Sequence, residues 1–383
     1  MRRLFLGPDP NVPEEVLRII SDNLPNGILF PGLRNLFWMI RSYIPPFYHI
    51  FLSPSLTAFS LSCSLLSDKI LSSILSLIQH LRTLPLRALY LDCHKVSRDM
   101  ESAFSSAVLQ CGHSLKALFI SAPLSDAAVQ HIARLPNLTQ WYVTDTPPRV
   151  SDLSRLSGAF PQLELLHLQS EASPEWLPLI GATAHRTYPK QESHMQAHRG
   201  PCQKLTTLEC RREVPVDIAF VAPIMLFHGL VYLTLHSSCS FDGGCTFNLT
   251  DDDTEEIATA LPRLKHAILG SVCYANSCQT TVSSLVSFST HCENLGRLEI
   301  HFNTTNLRDD LDSISADPRL DNLPPLTKRA PLFLVLSEAP IQISGEDIGP
   351  VVTGFLRIFP SLKEFIGDDP ALDKLNAWLV LEE

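Results

Sequence analysis

A short apolar pattern recurs through most of the chain. Each copy has a leucine, two variable residues, a second apolar residue, one variable residue and a third apolar residue. The best copies begin at Leu86, Leu115, Leu163, Leu230 and Leu295, and weaker copies begin at Leu33, Leu56, Leu138, Leu205, Leu264 and Leu362. The alternation predicts a short β-strand whose second and third apolar residues face a core, while the residue between them faces out.

Segments with helical character lie between the strand motifs. They cover residues 66–81, 99–110, 126–134, 251–260, 282–289 and 351–358. Ser125 and the acidic run at residues 251–256 stand at helix starts, where such side chains cap free amides and oppose the helix dipole. Proline often separates a helix from the next motif, as in Leu261-Pro262-Arg263-Leu264, because it cannot continue a helix.

Strand, turn and helix units that repeat at roughly 20 to 29 residues are typical of leucine-rich repeats. Such units stack into an α/β solenoid, with a curved parallel sheet on the concave side and helices on the convex side. The sequence therefore predicts an irregular leucine-rich repeat solenoid over residues 33–383. Residues 1–32 are expected to be an N-terminal cap or linker, and the polar stretches near residues 183–203 and 304–329 to be loop insertions.

Composition and charge narrow the class of protein. Hydrophobic residues make up 45% of the chain and charged residues 18%, which suffices for a continuous core. The formal charge of −10 argues against nucleic acid as a partner. The longest apolar stretch, residues 218–227, is too short to span a bilayer, so no membrane association is expected.

The cysteines and the amino terminus indicate the compartment. Ten cysteines are scattered through the chain, which is ordinary usage of free thiols in an intracellular protein. The apolar run after Met1 ends at Gly7, too early for a secretory signal. The expected location is therefore the cytoplasm or the nucleus.

The variable residue between the second and third apolar positions defines the expected binding surface. The candidate partner-binding residues in this row are Phe37, Tyr90, Phe119, Tyr142, His167, Glu209 and Glu299, and Ser60, Thr234 and Ile268 complete it. The amino-terminal part of the row is aromatic, and aromatic side chains are typical anchors for a partner protein. The open alternative is that neighbouring loops cover several of these rings.

The sequence gives little support for a metal site or a catalytic site. The close pairs Cys239 with Cys245 and Cys273 with Cys278 have longer spacings than structural zinc favours, and the residues that could supplement them are His236, His266, His291 and Cys292. The histidines of residues 183–203 are interpreted as solvated loop residues. No Gly-x-Ser-x-Gly elbow, phosphate-binding glycine loop, dinucleotide fingerprint or His-Glu-x-x-His helix is present. The sequence therefore predicts no metal, no cofactor and no enzymatic activity, with an α/β hydrolase as the remote alternative.

The junctions between helices and strands add a family resemblance. Phe-Pro-x-Leu recurs at Phe160 and Phe359, and the first motif opens as Leu29-Phe30-Pro31-Gly32-Leu33-Arg34-Asn35-Leu36-Phe37-Trp38. With the repeat copies, these features resemble the carboxy-terminal region of fungal F-box and leucine-rich repeat proteins over nearly the whole chain. In that family the F-box docks on a Skp-type adaptor of a cullin-RING ubiquitin ligase, and the repeats recruit the protein to be ubiquitinated.

The resemblance implies that this chain recruits a protein substrate through its repeats. Residues 12–20 are similar to the opening of an F-box, but too little chain precedes Leu33 for a full F-box. A Skp-type adaptor is therefore expected as a partner only if this remnant is functional. The alternative is a leucine-rich repeat scaffold that takes no part in ubiquitination.

Overall fold

The computed structural model places strands and helices alternately along the chain. It describes residues 2–7, 13–24, 26–40, 44, 47–63, 68–81, 83–93, 98–110, 112–145, 160–170, 204–212, 216–238, 246–272, 279–314, 316–323, 330–336, 346–367 and 369–382. Thirteen strands lie within these ranges. The described residues up to His167 form one compact unit, and those from Leu168 onward form a second.

The first unit consists of parallel strands joined by helices. Its strands are β1 (Arg3–Leu6), β2 (Asn35–Ile40), β3 (Ala58–Cys63), β4 (Ala88–Cys93), β5 (Ala117–Ile120) and β6 (Gln140–Asp145), and β7 (Leu165–Ser170) crosses into the second unit. Its helices are α1 (Glu14–Asn23), α2 (Asp68–Leu81), α3 (Arg98–Gln110) and α4 (Asp126–Ala133), with a 3₁₀ helix at Tyr48–Phe51. From β1 to β6, each strand pairs in parallel with the next one along the chain.

The strands form where the sequence alternates between apolar and other residues. In β3 and β4 every second residue is buried and the residues between them are partly exposed. Leu89 and Leu91 are 2% and 0% exposed, so they lie in the core between sheet and helices. The turn before each strand is tied to the previous repeat: the Arg87 amide donates to the Thr57 carbonyl at 2.7 Å, and the Lys116 amide donates to the Arg87 carbonyl at 2.7 Å. The predicted strand motif is therefore confirmed.

The second unit has the same construction. Its strands are β8 (Thr207–Arg212), β9 (Tyr232–Ser238), β10 (His266–Val272), β11 (Arg297–Ile300), β12 (Leu332–Val335) and β13 (Leu362–Ile366). Its helices are α5 (Ile218–Val221), α6 (Asp251–Ala260), α7 (Val282–His291), α8 (Leu307–Ile314), α9 (Ile348–Ile358) and α10 (Pro370–Glu382), with 3₁₀ helices at Ile224–Leu226 and Leu320–Asn322. From β8 to β13 the strands also pair in parallel and in chain order. The fold class is therefore an α/β leucine-rich repeat solenoid.

The acidic run at residues 251–256 caps a helix, as the sequence predicts. The side chain of Thr250 accepts from the Asp253 amide at 3.2 Å, and the Asp253 carboxylate accepts from the Thr250 amide at 2.8 Å, which is a reciprocal capping box. Asp251 accepts from both the amide and the hydroxyl of Thr281, at 2.7 and 2.6 Å. Since Thr281 is the N-cap of α7, this carboxylate joins the starts of two successive helices.

The structure corrects the prediction for residues 304–329, which contain the helix α8 and not only a loop. Leu307, Leu311 and Ile314 recur at helical spacing and are 3%, 2% and 9% exposed, so they form a buried stripe. Asp309 and Asp310 lie in the first turn of α8, where carboxylates favour the helix. The acidic composition of this stretch led to the loop prediction, although the stretch contains an amphipathic helix. The other expected insertion, residues 183–203, lies outside the described residues.

Residues 1–32, which were expected to be an N-terminal cap or linker, contain the sheet strand β1. Strand β1 pairs with β2 in register, so that Phe5 lies opposite Phe37. Within the described part of the chain, no helix is long and apolar enough to cross a membrane.

The packing of α8 can be tested by a cavity-forming substitution. Leu311→Ala is expected to lower the free energy of unfolding by about 2 to 5 kcal/mol, because it removes a buried side chain that contacts the backbone of α9 near Gly354. Ser313→Ala, on the exposed side of the same helix, should change it by less than about 0.5 kcal/mol. Denaturant unfolding followed by circular dichroism measures both variants. Equal small effects would show that α8 does not pack against the rest of the second unit.

Candidate protein-binding surface

Each strand presents one face to the helices and the other to solvent. Successive side chains of a strand point to opposite faces, and here the buried ones lie on the helix-covered face. We call the opposite face the open face. All the predicted partner-binding residues are partly exposed there: Phe37, Tyr90, Phe119, Tyr142, His167, Glu209 and Glu299.

The open face of the first unit carries a continuous row of rings. Tyr90, Phe119 and Tyr142 are paired in register across β4, β5 and β6. Their ring centroids are 6.2 Å apart for Tyr90 and Phe119 and 6.1 Å apart for Phe119 and Tyr142. The imidazole of His167 follows at 5.6 Å from the Tyr142 ring. We call these four residues the aromatic ladder.

A second aromatic pair occupies the same row nearer the amino terminus. Phe5 and Phe37 stack with centroids 4.5 Å apart and planes inclined by 8°, and Phe5 is 71% exposed. Ser60 separates this pair from Tyr90 in the register of the sheet. Sequence reasoning missed Phe5 because β1 lacks the leucine motif. The short apolar run of Leu4, Phe5 and Leu6 was the available signal.

Small and mostly uncharged side chains flank the ladder. Ala88 and Ala117 precede the ring positions on β4 and β5, and they are paired in register. Asp92 follows Tyr90 on the same face of β4 and is partly exposed. The side chains that precede Tyr90 and Phe119 on this face are therefore single methyl groups, much smaller than the rings.

The open face of the second unit combines rings with charges. Glu209, Thr234, Ile268 and Glu299 continue the predicted row in register. An adjacent row was missed, with members Tyr232, His266, Arg297 and Phe333. In each strand, the residue before the second apolar position and the residue after it both point outward. Only the residue after it was considered in the sequence analysis.

Burial, together with nearby positive charges, lowers the pKa of two histidines in this second unit. Burial lowers the pKa of His266 below its ordinary value, and the positive charges of Arg297 and Lys265 lower it further. Burial also lowers the pKa of His236, with the charge of Arg211 acting in the same direction and the carboxylate of Glu299 opposing both. These rings are consequently held mainly in the neutral form near neutral pH.

Side chains that could ligate metals do not converge in the described residues. No group of three or more histidine, cysteine, aspartate or glutamate side chains there could hold a metal ion. Burial raises the pKa of the Cys292 thiol to about 12, so this sulfur is a protonated core group. The pairs Cys239 with Cys245 and Cys273 with Cys278 lie outside the described residues.

A serine, a tyrosine and a histidine meet on the helix layer of the first unit. The Tyr48 hydroxyl lies 2.7 Å from Ser76 Oγ and 3.1 Å from His80 Nδ1. His80 Nδ1 also lies 2.8 Å from the Ser76 carbonyl oxygen. Since a carbonyl oxygen only accepts, His80 Nδ1 carries the hydrogen and cannot act as a base toward either hydroxyl. This cluster therefore does not have the arrangement that a hydrolase needs.

The lowered histidine pKa values predict a pH dependence of stability. The unfolded chain takes up protons at an ordinary pKa of 6.5, whereas His236 and His266 in the folded chain take them up at lower pH. The contribution of these two histidines to stability is therefore fully present above about pH 6.5, and it is lost as the pH falls through their folded pKa values. The melting temperature of the chain should drop between about pH 7.5 and about pH 5.5.

The double variant His236→Gln/His266→Gln should flatten this pH dependence. His113→Gln, at an exposed turn before β5, is the control and should leave the pH profile unchanged. Thermal unfolding across the pH range measures all three proteins. A double variant with the same profile as the parent chain would show that these two histidines are not held neutral by their surroundings.

Comparison with known proteins gives similarity at the level of fold. No protein-family model and no curated protein matches the sequence. The chain is similar to the leucine-rich repeat-containing protein LegL7 from Legionella pneumophila, with 12% identity, a TM-score of 0.37, and coverage of 97% of this chain and 91% of that chain. It is also similar to a chain in the Rad7 and Elc1 complex in yeast, with 15% identity, a TM-score of 0.39, and coverage of 94% and 83% respectively.

Proposed function

We propose that this protein binds a partner protein through the aromatic ladder of its first unit. The observation that carries the proposal is the contact of Tyr90, Phe119, Tyr142 and His167 in one row, each ring partly exposed on the open face. Rings of this kind supply a large apolar contact area together with polar tips that tolerate water. Such side chains are enriched among the residues that dominate protein interfaces.

The paired strands and buried residues beneath the aromatic ladder hold its rings in place, which favours binding. Tyr90, Phe119 and Tyr142 belong to consecutive hydrogen-bonded strands, and the residues under them, including Leu118 and Trp141, are 0% and 1% exposed. A side chain that is already held in place loses little conformational entropy when a partner contacts it. The ladder is thus a preorganised apolar strip and not a set of independent surface rings.

We propose further that the bound protein is a substrate for a cullin-RING ubiquitin ligase. The support for this is the resemblance of the repeat copies and Phe-Pro-x-Leu junctions to fungal F-box and leucine-rich repeat proteins. In this reading α1, which overlaps residues 12–20, would contact a Skp-type adaptor. Its Val16 and Ile19 side chains are 42% and 59% exposed, so apolar surface is available there. A leucine-rich repeat scaffold without a ligase is the rival function.

Removing the three large rings tests the first proposal. The triple variant Tyr90→Ala/Phe119→Ala/Tyr142→Ala should lose at least about tenfold in recovery of the partner, because each anchor typically contributes more than about 1 kcal/mol. Its melting temperature should fall only slightly, since the rings are not in the core. Quantitative affinity capture from a cell extract, with mass spectrometry, measures recovery, and circular dichroism measures melting.

A matched control removes apolar side chains from the helix layer of the same unit. Leu75→Ala/Leu109→Ala truncates residues that are 38% and 44% exposed, and it should leave capture intact. A triple variant that captures the same proteins as the parent chain would overturn the role of the ladder. A triple variant that unfolds would show that the rings are structural.

Adaptor recovery tests the proposed role in ubiquitination. Capture with the parent chain should recover a Skp-type adaptor and a cullin, and Val16→Ser/Ile19→Ser should lose them while it retains the ladder partner. The substitutions replace exposed apolar side chains, so the fold should tolerate them. If no adaptor or cullin accompanies the parent chain while other proteins are specifically retained, the ligase role is wrong and the scaffold remains.

A further inference from the structure

The second unit carries a row of side chains unlike the aromatic ladder. Tyr232 and Phe333 are 43% and 37% exposed, and they lie on β9 and β12. His266 and Arg297 occupy the same row on the two strands between them, as the pairing register shows. The rings of Tyr232 and His266 stack at 4.7 Å with planes inclined by 18°. We call these four residues the basic-aromatic row.

Two positive charges act on His266 in this row. Lys265 directly precedes His266 and is exposed, and the charges of Lys265 and Arg297 both disfavour a proton on His266. One carboxylate lies nearby: Glu299 Oε2 is 3.5 Å from Arg297 Nη2, at the limit of a hydrogen bond. The Arg297 Nε atom is buried and makes no hydrogen bond among the described residues. Glu299 therefore neutralises the positive charge of the Arg297 guanidinium only in part.

A guanidinium with unused donors is suited to an anion. It presents five N–H donors in a planar fork that matches the oxygens of a carboxylate or phosphate. The side chain of Arg297 is 42% exposed, so its outer nitrogens can be reached from solvent. The exposed rings on either side provide apolar contact for the residues that flank such an anion.

We propose that the basic-aromatic row binds an acidic side chain within an extended segment of a partner protein. The anion lies between Arg297 and His266, and apolar neighbours of the acidic residue pack on Tyr232 and Phe333. A protein is favoured over nucleic acid because Glu209 and Glu299 share this face and the whole chain carries a formal charge of −10. The site shares no residue with the aromatic ladder, so the two binding proposals stand or fall separately.

Binding at this row is coupled to a proton. The groups around His266 are the stacked Tyr232 ring on β9, Lys265 directly before it in the chain, and Arg297 opposite it on β11. An anion placed beside His266 offsets the two positive charges and raises the pKa of the imidazole. Proton uptake then accompanies binding, so the affinity for the acidic segment rises as the pH falls from about 7.5 to about 6.

Selection from a random peptide library tests the proposal while the partner is still unidentified. The immobilised parent chain, Arg297→Gln and Arg357→Gln are each presented with the same library. Arg357 is the control because it is a partly exposed arginine on α9, in the helix layer of the same unit, with 48% side-chain exposure. The parent chain and Arg357→Gln should enrich peptides with an acidic residue between apolar residues, and Arg297→Gln should not.

Synthetic peptides then identify the anion. The enriched peptide is made with its acidic residue as the carboxylate, as the corresponding amide and as phosphoserine, and binding is measured by fluorescence anisotropy. The amide form or the Arg297→Gln variant should bind about 10- to 100-fold more weakly, as expected for a hydrogen bond to a charged group. Tighter binding of phosphoserine would identify a phosphorylated segment, and equal or tighter binding of the carboxylate an acidic one.

Further variants separate the proposed contact from indirect effects. Arg297→Lys should recover part of the affinity because it keeps the charge, and His266→Gln should remove the rise in affinity at lower pH. The melting temperature of every variant is measured alongside. The proposal is overturned if no acidic peptide is enriched, if Arg297→Gln binds as the parent chain does, or if a short single-stranded RNA competes through Arg297.

Discussion

The burial of alternate apolar side chains between a parallel sheet and its helices is the interaction on which both units depend. Each strand contributes a second and a third apolar position to this layer, and Leu233 and Leu235 on β9 are 1% and 0% exposed. A single strand and helix cannot bury these side chains alone, so each repeat relies on its neighbours. The backbone bonds between successive strands and turns then fix the register within each unit.

The pairing register of the strands determines which outward side chains lie next to one another on the open face. Because the core side of each strand is fixed, the outward side chains of neighbouring strands must lie in rows. In the first unit this places Tyr90, Phe119 and Tyr142 in contact, and in the second it places His266 beside Arg297. The core residues are apolar in repeat after repeat. The outward residues differ from strand to strand, so the chemistry of the open face changes along each unit.

The sequence was sufficient to predict the repeats because their signal is local. The helix over residues 251–260 was predicted to the residue, since the acidic run at residues 251–256 marks its start. The row from Phe37 to Glu299 was also predicted correctly as partly exposed positions. Whether these positions bind a partner is a separate matter and stays a prediction.

The remaining features depend on contacts between distant parts of the chain. The helix α8 was mistaken for a loop because its acidic residues outweighed the stripe of Leu307, Leu311 and Ile314, which is recognisable once α9 packs against it. Strand β1 lacks the leucine motif, and only its pairing with β2 reveals Phe5 as part of the open face. His266 and Arg297 stand at a variable position of their motif copies, so the motif does not indicate their chemistry, and it is the pairing register of β10 and β11 that brings them together.

Site-specific photo-crosslinking tests the central claim, that the outward rows of the sheet contact the partner. A photoreactive phenylalanine analogue replaces Phe119 in one protein and Leu109, on the helix layer of the same unit, in another. Irradiation in a cell extract should crosslink a partner protein from position 119 and not from position 109. Crosslinks to a partner from position 109 alone would place the binding surface on the helices and contradict the assignment of the open face.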